Sequence, residues 1–200
     1  MPKTLSGEFY ILRDMRVIAG TYRSRPLQSL PGLELRPSSD RLRETLFNVL
    51  SAASDLQGTV WLDLFAGTGA VGIEAISRGA RQVYFVESEK KHARLLRENL
   101  VSLGISEGYE VQERGTERAL PLLETTGVVC DYCFLDPPYR KRGSYERTLG
   151  FLSQSSLLSP TAIVIAEHEK KFDPGERFGA LVRSRKLEHG DTTLSFYRLG

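Results

Sequence analysis

An apolar strand that runs straight into a glycine loop and then a helix constrains this chain more than any other feature. Val60-Trp61-Leu62-Asp63-Leu64-Phe65 reads as a buried strand. Gly67-Thr68-Gly69-Ala70-Val71-Gly72 fits G-x-G-x-x-G, and Ala70 to Ser77 reads as a helix closed by Gly79. Strand, tight turn and helix in immediate succession belong to a βαβ unit. The rhythm then repeats. Strands are expected at Gln82–Val86, Tyr109–Gln112, Val128–Leu135 and Ala162–Ala166. Between them come helices at Glu89–Leu103, a short one broken at Pro121, and one around Tyr145–Leu152. The tail reads as two strands, Ala180–Leu187 and Thr193–Leu199, joined by His189-Gly190-Asp191. Such alternation means an α/β fold with a mostly parallel sheet, covered on both faces, and a closing antiparallel hairpin strand. Ligands of such sheets sit at the carboxyl ends of the strands, so the loops after Leu64, Val86 and Leu135 should share one cleft.

Upstream, the pattern is different. Residues 1–14 read as a leader without assigned function. Residues 16–36 mix short β-prone pieces with Gly20, Pro26, Pro31 and Gly32, which suggests a hairpin or extended arm rather than a packed layer. Ser38 and Ser39 offer caps for a helix over residues 40–53, whose Leu42, Leu46, Val49, Leu50 and Ala53 share one face. The expected division is therefore an arm at 1–37 and one domain at 38–200.

Composition limits the function classes. No run of 18 or more apolar residues exists, so a helical membrane span is not expected. The N-terminus lacks the pattern of a secretory signal, and two cysteines cannot make a disulfide framework; a cytoplasmic setting is expected. The net charge of +2 hides 20 arginines among 27 basic residues. Seven of them crowd the first 43 positions, an electrostatic pointer to nucleic acid that a merely solvated surface would explain equally well.

Glu87 stands at the end of the strand after the glycine loop, where an acid meets ribose hydroxyls. A dinucleotide would bring its pyrophosphate close to the Asp63 carboxylate, and like charges in a desolvated site are costly. S-adenosylmethionine (SAM) has an ammonium and a sulfonium instead, and suits Asp63 better than NAD. Capping of the loop or helix is the bland alternative for Asp63, and the ligand reading is favoured over it. The second chemical signature is Asp136-Pro137-Pro138-Tyr139, directly after a strand. The prolines remove two backbone donors and keep their carbonyls. An exocyclic amine could donate to Asp136 and to the Pro137 carbonyl, which aims its lone pair at a methyl donor, while Tyr139 stacks on the base. Alone, this tetrapeptide is equally a rigid turn.

These stretches resemble two known signatures. Asp63-Leu64-Phe65-Ala66-Gly67-Thr68-Gly69 looks like motif I of class I SAM-dependent methyltransferases, and Asp136-Pro137-Pro138-Tyr139 looks like the motif of amino-methyltransferases acting on bases. Met15–Arg25, Arg36–Glu44 and His189–Tyr197 resemble the RsmD family, whose members methylate N2 of a guanine in bacterial small-subunit (16S) ribosomal RNA, the guanine-966 type. The resemblance implies a Rossmann-like class I methyltransferase fold, a mostly parallel seven-stranded sheet with a C-terminal antiparallel hairpin strand and a small N-terminal β arm. It implies SAM as methyl donor without a metal. Asp63, Phe65, Ala66, Gly67, Gly69, Glu87 and Ser88 would hold the cofactor. Gly115 or Thr116 would meet its adenine, and Ser38 and Arg41 would close over it. Asp136, Pro137, Pro138 and Tyr139 would orient the guanine. Arg16, Arg23, Arg25 and Arg36 would touch RNA phosphates, and the enzyme would act as a monomer on ribosomal RNA or an assembling small subunit. Rival readings are a DNA or other RNA amino-methyltransferase, an NAD-dependent oxidoreductase, and a catalytically silent RNA-binding assembly factor.

The remaining features read as bland. Cys130 and Cys133 are three apart on a strand, hence on opposite faces, and are expected to be two ordinary buried thiols. His92, His168 and His189 are expected at the surface, and Trp61 in the core.

Overall fold

The computed structural model describes residues 15–29 and 38–200. The leader and Arg36 lie outside the described residues. Helix α1 (Ser38–Ala53) precedes the alternating units. These run β1 (Val60–Leu64), α2 (Ala70–Ser77), β2 (Gln82–Val86), α3 (Lys90–Leu103), β3 (Tyr109–Gln112), α4 (Thr116–Thr125) and β4 (Cys130–Leu135). Helix α5 (Gly143–Leu152) and strands β5 (Leu158–Glu169), β6 (Arg177–Phe178), β7 (Leu181–His189) and β8 (Thr192–Leu199) complete them. The sheet order is β3-β2-β1-β4-β5-β8-β7-β6. Strands β1 to β5 are mutually parallel, and β8 enters antiparallel beside β5. The order reverses between β1 and β4, which makes their carboxyl ends the switch point where α/β sheets bind ligands. The described sheet has eight strands where seven were expected; the addition is the two-residue β6 on the outer edge of β7.

Alternation along the central strands splits the core into two layers. Trp61, Phe85, Tyr132, Phe134 and Ile165 face α1, α2 and α3. Leu62, Leu64, Cys133, Leu135 and Val164 face α4 and α5. Trp61 stacks between Phe47 of α1 (5.3 Å) and Tyr132 (4.6 Å), which seats α1 on the sheet.

Four expectations are corrected. The N-terminal hairpin is a packed layer after all. Met15, Val17 and Leu27 are fully buried, and Val17 and Arg25 pair across it. Its turn sits so close to α2 that a Cβ on Gly20 would lie 1.8 Å from the Ser77 carbonyl oxygen. Helix α4 is not broken at Pro121. Pro121 is exposed, so water can satisfy the Glu117 carbonyl that loses its donor. Cys130 and Cys133 share one layer, because the β4–β5 register shifts between Cys130 and Tyr132 and alternation does not carry across it. His168 is wholly buried, with Nε2 2.9 Å from Ser195 Oγ and Nδ1 2.9 Å from the Glu169 carbonyl oxygen, so two partners replace water.

Candidate active site

The carboxyl edge is organised by two carboxylates that grip the glycine loop. Asp63, next to last in β1, is almost fully buried, and its Oδ2 accepts the Gly72 N–H at 2.8 Å, tying the strand to the first turn of α2. Close packing makes that turn possible: a Cβ on Gly72 would lie 2.2 Å from the Phe85 ring. Burial pushes the Asp63 carboxyl up to about 8, against the pull of the Gly72 N–H and with the help of the Asp136 and Glu87 charges. Glu87 follows β2 and bridges two loops. It accepts from Gly67 N–H at 2.8 Å and from Glu89 N–H at 2.7 Å. Burial alone would raise its pKa. His92, 3.8 Å away, and the two N–H groups outweigh burial and hold it below the ordinary glutamate value. Glu87 in turn raises His92, which is half-buried beside the site, not on the open surface.

Between these carboxylates the backbone is strained. Phe65 has φ +61, a left-handed conformation that bulky residues rarely adopt. Ala66 fastens the bend, donating to the Val86 carbonyl at 3.1 Å and accepting from Gly69 N–H at 2.7 Å. Phe65 thereby turns toward a cavity of about 500 Å³ that also takes in Ser88, Gly115 and Thr116. Four residues expected around one ligand thus line one cavity. Its far wall comes from α5, with Ser144, Thr148 and Phe151, which carry no motif. Only the packing of α5 against α4 could have revealed them. The side chains of Asp63, Asp136 and Glu87 stand outside this cavity.

Asp136 leaves β4 through a long N–H bond (3.4 Å) to the Leu64 carbonyl, which keeps it beside the end of β1. It is half-buried, and burial raises its carboxyl to about 7. Pro137 is buried and Pro138 exposed. The Pro138 carbonyl accepts the Lys141 N–H at 2.7 Å in a short 3-10 turn over Tyr139–Lys141. No hydrogen bond occupies the Pro137 carbonyl among the described residues. The Tyr139 and Ser38 side chains lie outside the described part of the molecule. One acid escaped the sequence reading. Leu135 pairs with Ala166, so Asp136, just past β4, comes to lie beside Glu167, which is still within β5. Burial and the Asp136 charge push Glu167 well above the usual carboxylate range. The acid at the end of the β5 apolar run was the available signal.

Other expected residues are more dispersed. Arg41 is exposed on the first turn of α1 and does not line the cavity. Arg16 and Arg23 are exposed on the hairpin, while Arg25 is partly committed to the Ser102 carbonyl at 2.8 Å. Among the described residues no group of three or more acids, cysteines and histidines is arranged to hold a metal ion. No described helix is long and apolar enough to cross a membrane.

Comparison with known proteins agrees with this architecture. The family model described as conserved hypothetical protein 95 matches residues 15–198. The ribosomal RNA small subunit methyltransferase D of Haemophilus influenzae is 37% identical over 159 residues, 78% of this chain and 80% of that protein. Its Escherichia coli namesake is 36% identical over 158 residues, 78% of this chain and 75% of that protein. Among solved structures, the Escherichia coli protein yhhF superposes with a TM-score of 0.77 at 30% identity, covering 92% of this chain and 97% of that one. A hypothetical protein of Thermus thermophilus superposes with a TM-score of 0.78 at 28% identity, covering 92% and 99%. With the match spanning both the hairpin and the sheet, the chain belongs to the RsmD family of methyltransferases.

Proposed function

We propose that this chain transfers the methyl group of SAM to the exocyclic N2 amine of a guanine in small-subunit ribosomal RNA, the same guanine-966 type that the family resemblance implies. The observation that carries the reading is Asp136 with the unengaged Pro137 carbonyl, beside the glycine loop at the switch point of the sheet. SAM supplies the methyl group as a sulfonium, a good leaving group. Its adenine fits the cavity between Ser88 and Gly115–Thr116, against Phe65 and Phe151. Its ribose hydroxyls suit the Glu87 carboxylate, and its ammonium suits Asp63. Ser38 and Arg41 at the start of α1 are assigned to closure over the cofactor. The guanine, flipped out of its strand, donates N2–H to Asp136 and to the Pro137 carbonyl, with Tyr139 stacked on its face. Held so, the amine lone pair attacks the methyl carbon, and the carboxylate supports the developing positive charge. The nitrogen sheds its proton after transfer, so no covalent enzyme intermediate is required. Arg16, Arg23, Arg25 and Arg36 of the arm are assigned to RNA phosphates, and a monomer suffices for the reaction.

The test is methyl transfer from labelled SAM to undermodified small ribosomal subunits and to protein-free ribosomal RNA, followed by digestion to nucleosides. Label is expected in N2-methylguanosine. Asp136→Ala is expected to lower turnover at least 100-fold with SAM affinity retained within about twofold; each acid–base or positioning contact is worth roughly that much. Label in another nucleoside would refute the acceptor, and loss of SAM binding by the variant would place Asp136 in the cofactor site.

A further inference from the structure

The cavity at the carboxyl edge carries a feature that SAM does not need. Arg114, Lys141 and Arg147 line it, all three exposed. None of the three forms an ion pair among the described residues, and Arg147 has only a long contact, 3.4 Å, to Ser144 Oγ. Several other arginines are paired with acids, Arg43 with Asp40, Arg78 with Glu74, Arg97 with Glu113 and Arg183 with Asp173, whereas these three face one cavity together. One carboxylate, Glu117, reaches the same cavity, so the lining still carries an excess of two positive charges. Adenosine is neutral and the reacting end of SAM is cationic. Neither calls for three guanidinium and ammonium groups at the mouth. A polyanion does.

We propose that Arg114, Lys141 and Arg147 form a phosphate-binding collar for the RNA strand on the side of the target nucleotide away from the hairpin. The proposal rests on the RNA-methyltransferase reading above and extends it to residues without a motif. The layering of the sheet supports the placement. Hairpin, α2 and α3 cover one face, whereas α4 and α5 cover the other; Arg147 lies on α5, Arg114 in the loop that leads into α4, and Lys141 in the turn that leads into α5. Asp136 stands at the edge between them. An RNA segment that spans the edge from Arg16 and Arg23 to the collar passes over Asp136, with its charges neutralised on both flanks. Lys141 couples the two tasks, because its backbone N–H already holds the Pro138 carbonyl next to the candidate catalytic carboxylate.

The experiment measures binding of protein-free small-subunit ribosomal RNA over a range of salt concentrations, for the wild type and for Arg114→Gln, Lys141→Gln and Arg147→Gln. SAM affinity and thermal stability are read on the same proteins. Each phosphate contact contributes a slope of about 0.7 to 0.9 in log K against log salt. The triple variant is therefore expected to lose about 2 from the slope, with SAM affinity within twofold and melting temperature unchanged. Arg185→Gln, an exposed arginine on β7, serves as control and is expected to leave the slope as it is. An unchanged slope in the triple variant overturns the collar. So does a loss in the control equal to that of a single collar variant, which would mean net charge alone, and so does a fall in SAM affinity, which would assign these cations to the cofactor. A wild type that binds this RNA with no salt dependence refutes the RNA reading itself, and the collar with it.

Discussion

Glu74 is the residue whose removal should tell most about how the hairpin is held. It is fully buried in α2, yet four groups converge on it. Ile18 N–H and Ala19 N–H donate to its two oxygens at 2.7 and 3.0 Å. Arg78 Nε donates at 2.7 Å, and Arg43 Nε lies 3.9 Å away. Burial lowers the Arg43 pKa, while Asp40 and Glu74 oppose that shift, so the guanidinium depends on both acids. Glu74→Ala would leave two half-buried backbone donors and a buried guanidinium short of partners. Removing one partner of a buried ion pair costs about 3 to 5 kcal/mol. Hydrogen bonds to a charged group carry roughly 1.5 to 3 kcal/mol each but do not add fully. Arg43 keeps Asp40 at 2.8 Å, which argues for a value near 4 kcal/mol rather than the sum. For a chain of this size that is a fall in melting temperature of about 8 to 16 °C. Circular dichroism with temperature reads the first part. Amide exchange reads the second: Ile18 and Ala19 should lose protection in the variant while Leu62, inside β1, keeps it. Glu74→Gln preserves the shape and should fall between. A melting temperature within about 2 °C of the wild type, with the hairpin amides still protected, would refute the claim that Glu74 fastens the hairpin.

Two further outcomes follow from the site. Asp136 must be ionised to accept from the amine and to support its developing charge, so methyl transfer should rise with pH and level off above about 7, falling roughly tenfold per unit on the acid side. The profile belongs to the Asp136–Glu167 pair of the free protein and is read in kcat/KM for SAM; a kcat/KM independent of pH between about 5.5 and 8 would remove the carboxylate from the mechanism. Gly72→Ala places a methyl group 2.2 Å from Phe85 and 2.8 Å from Val83, both inside the core. Overpacking of this kind costs about 1 to 3 kcal/mol, and because α2 must move off β2 to relieve it and the Gly72 N–H then shifts from Asp63, SAM affinity should fall together with stability; calorimetric titration showing wild-type affinity would break that link.

Much of the architecture was legible because local signals agreed with one another. Ala70–Ser77, Gln82–Val86 and Tyr109–Gln112 occupy the stretches that periodicity and glycine placement assign to them. Apart from Pro121, whose exposed position lets α4 continue, the failures have one origin: each depends on a partner distant in the chain. The hairpin reads as loose because its buried side chains, Met15, Val17 and Leu27, are scattered among glycine, serine and arginine. Its anchors, Glu74, Ser77 and Asn99, lie more than 50 residues away. His168 reads as a surface residue among charges until β8 brings Ser195 to it. Glu167 stays invisible until the β4–β5 register sets it beside Asp136. The glycine loop and the Asp-Pro-Pro-Tyr turn were readable in advance, because their chemistry is written in consecutive residues. The α5 wall of the cavity was not, since Ser144, Thr148 and Phe151 acquire meaning only through packing.

The same parity explains why the acidic edge can exist. Asp63, Asp136 and Glu167 continue the alternation of Trp61, Phe134 and Ile165, so all three stand near the carboxyl edge on the face covered by α1 and α2. Three carboxyls brought together there cannot all be ionised without cost, and each is raised, with burial the leading cause. In the free protein the edge is thus biased toward holding protons. An ammonium and a sulfonium arriving from one side, and amine hydrogens from the other, would favour the ionised forms. A cationic cofactor and a hydrogen-donating base then become mutually reinforcing occupants of one acidic edge. A pyrophosphate would instead keep the carboxyls protonated, the direction in which burial already pushes them. A cationic occupant is therefore what converts this edge to carboxylates, the form in which Asp136 accepts from an amine.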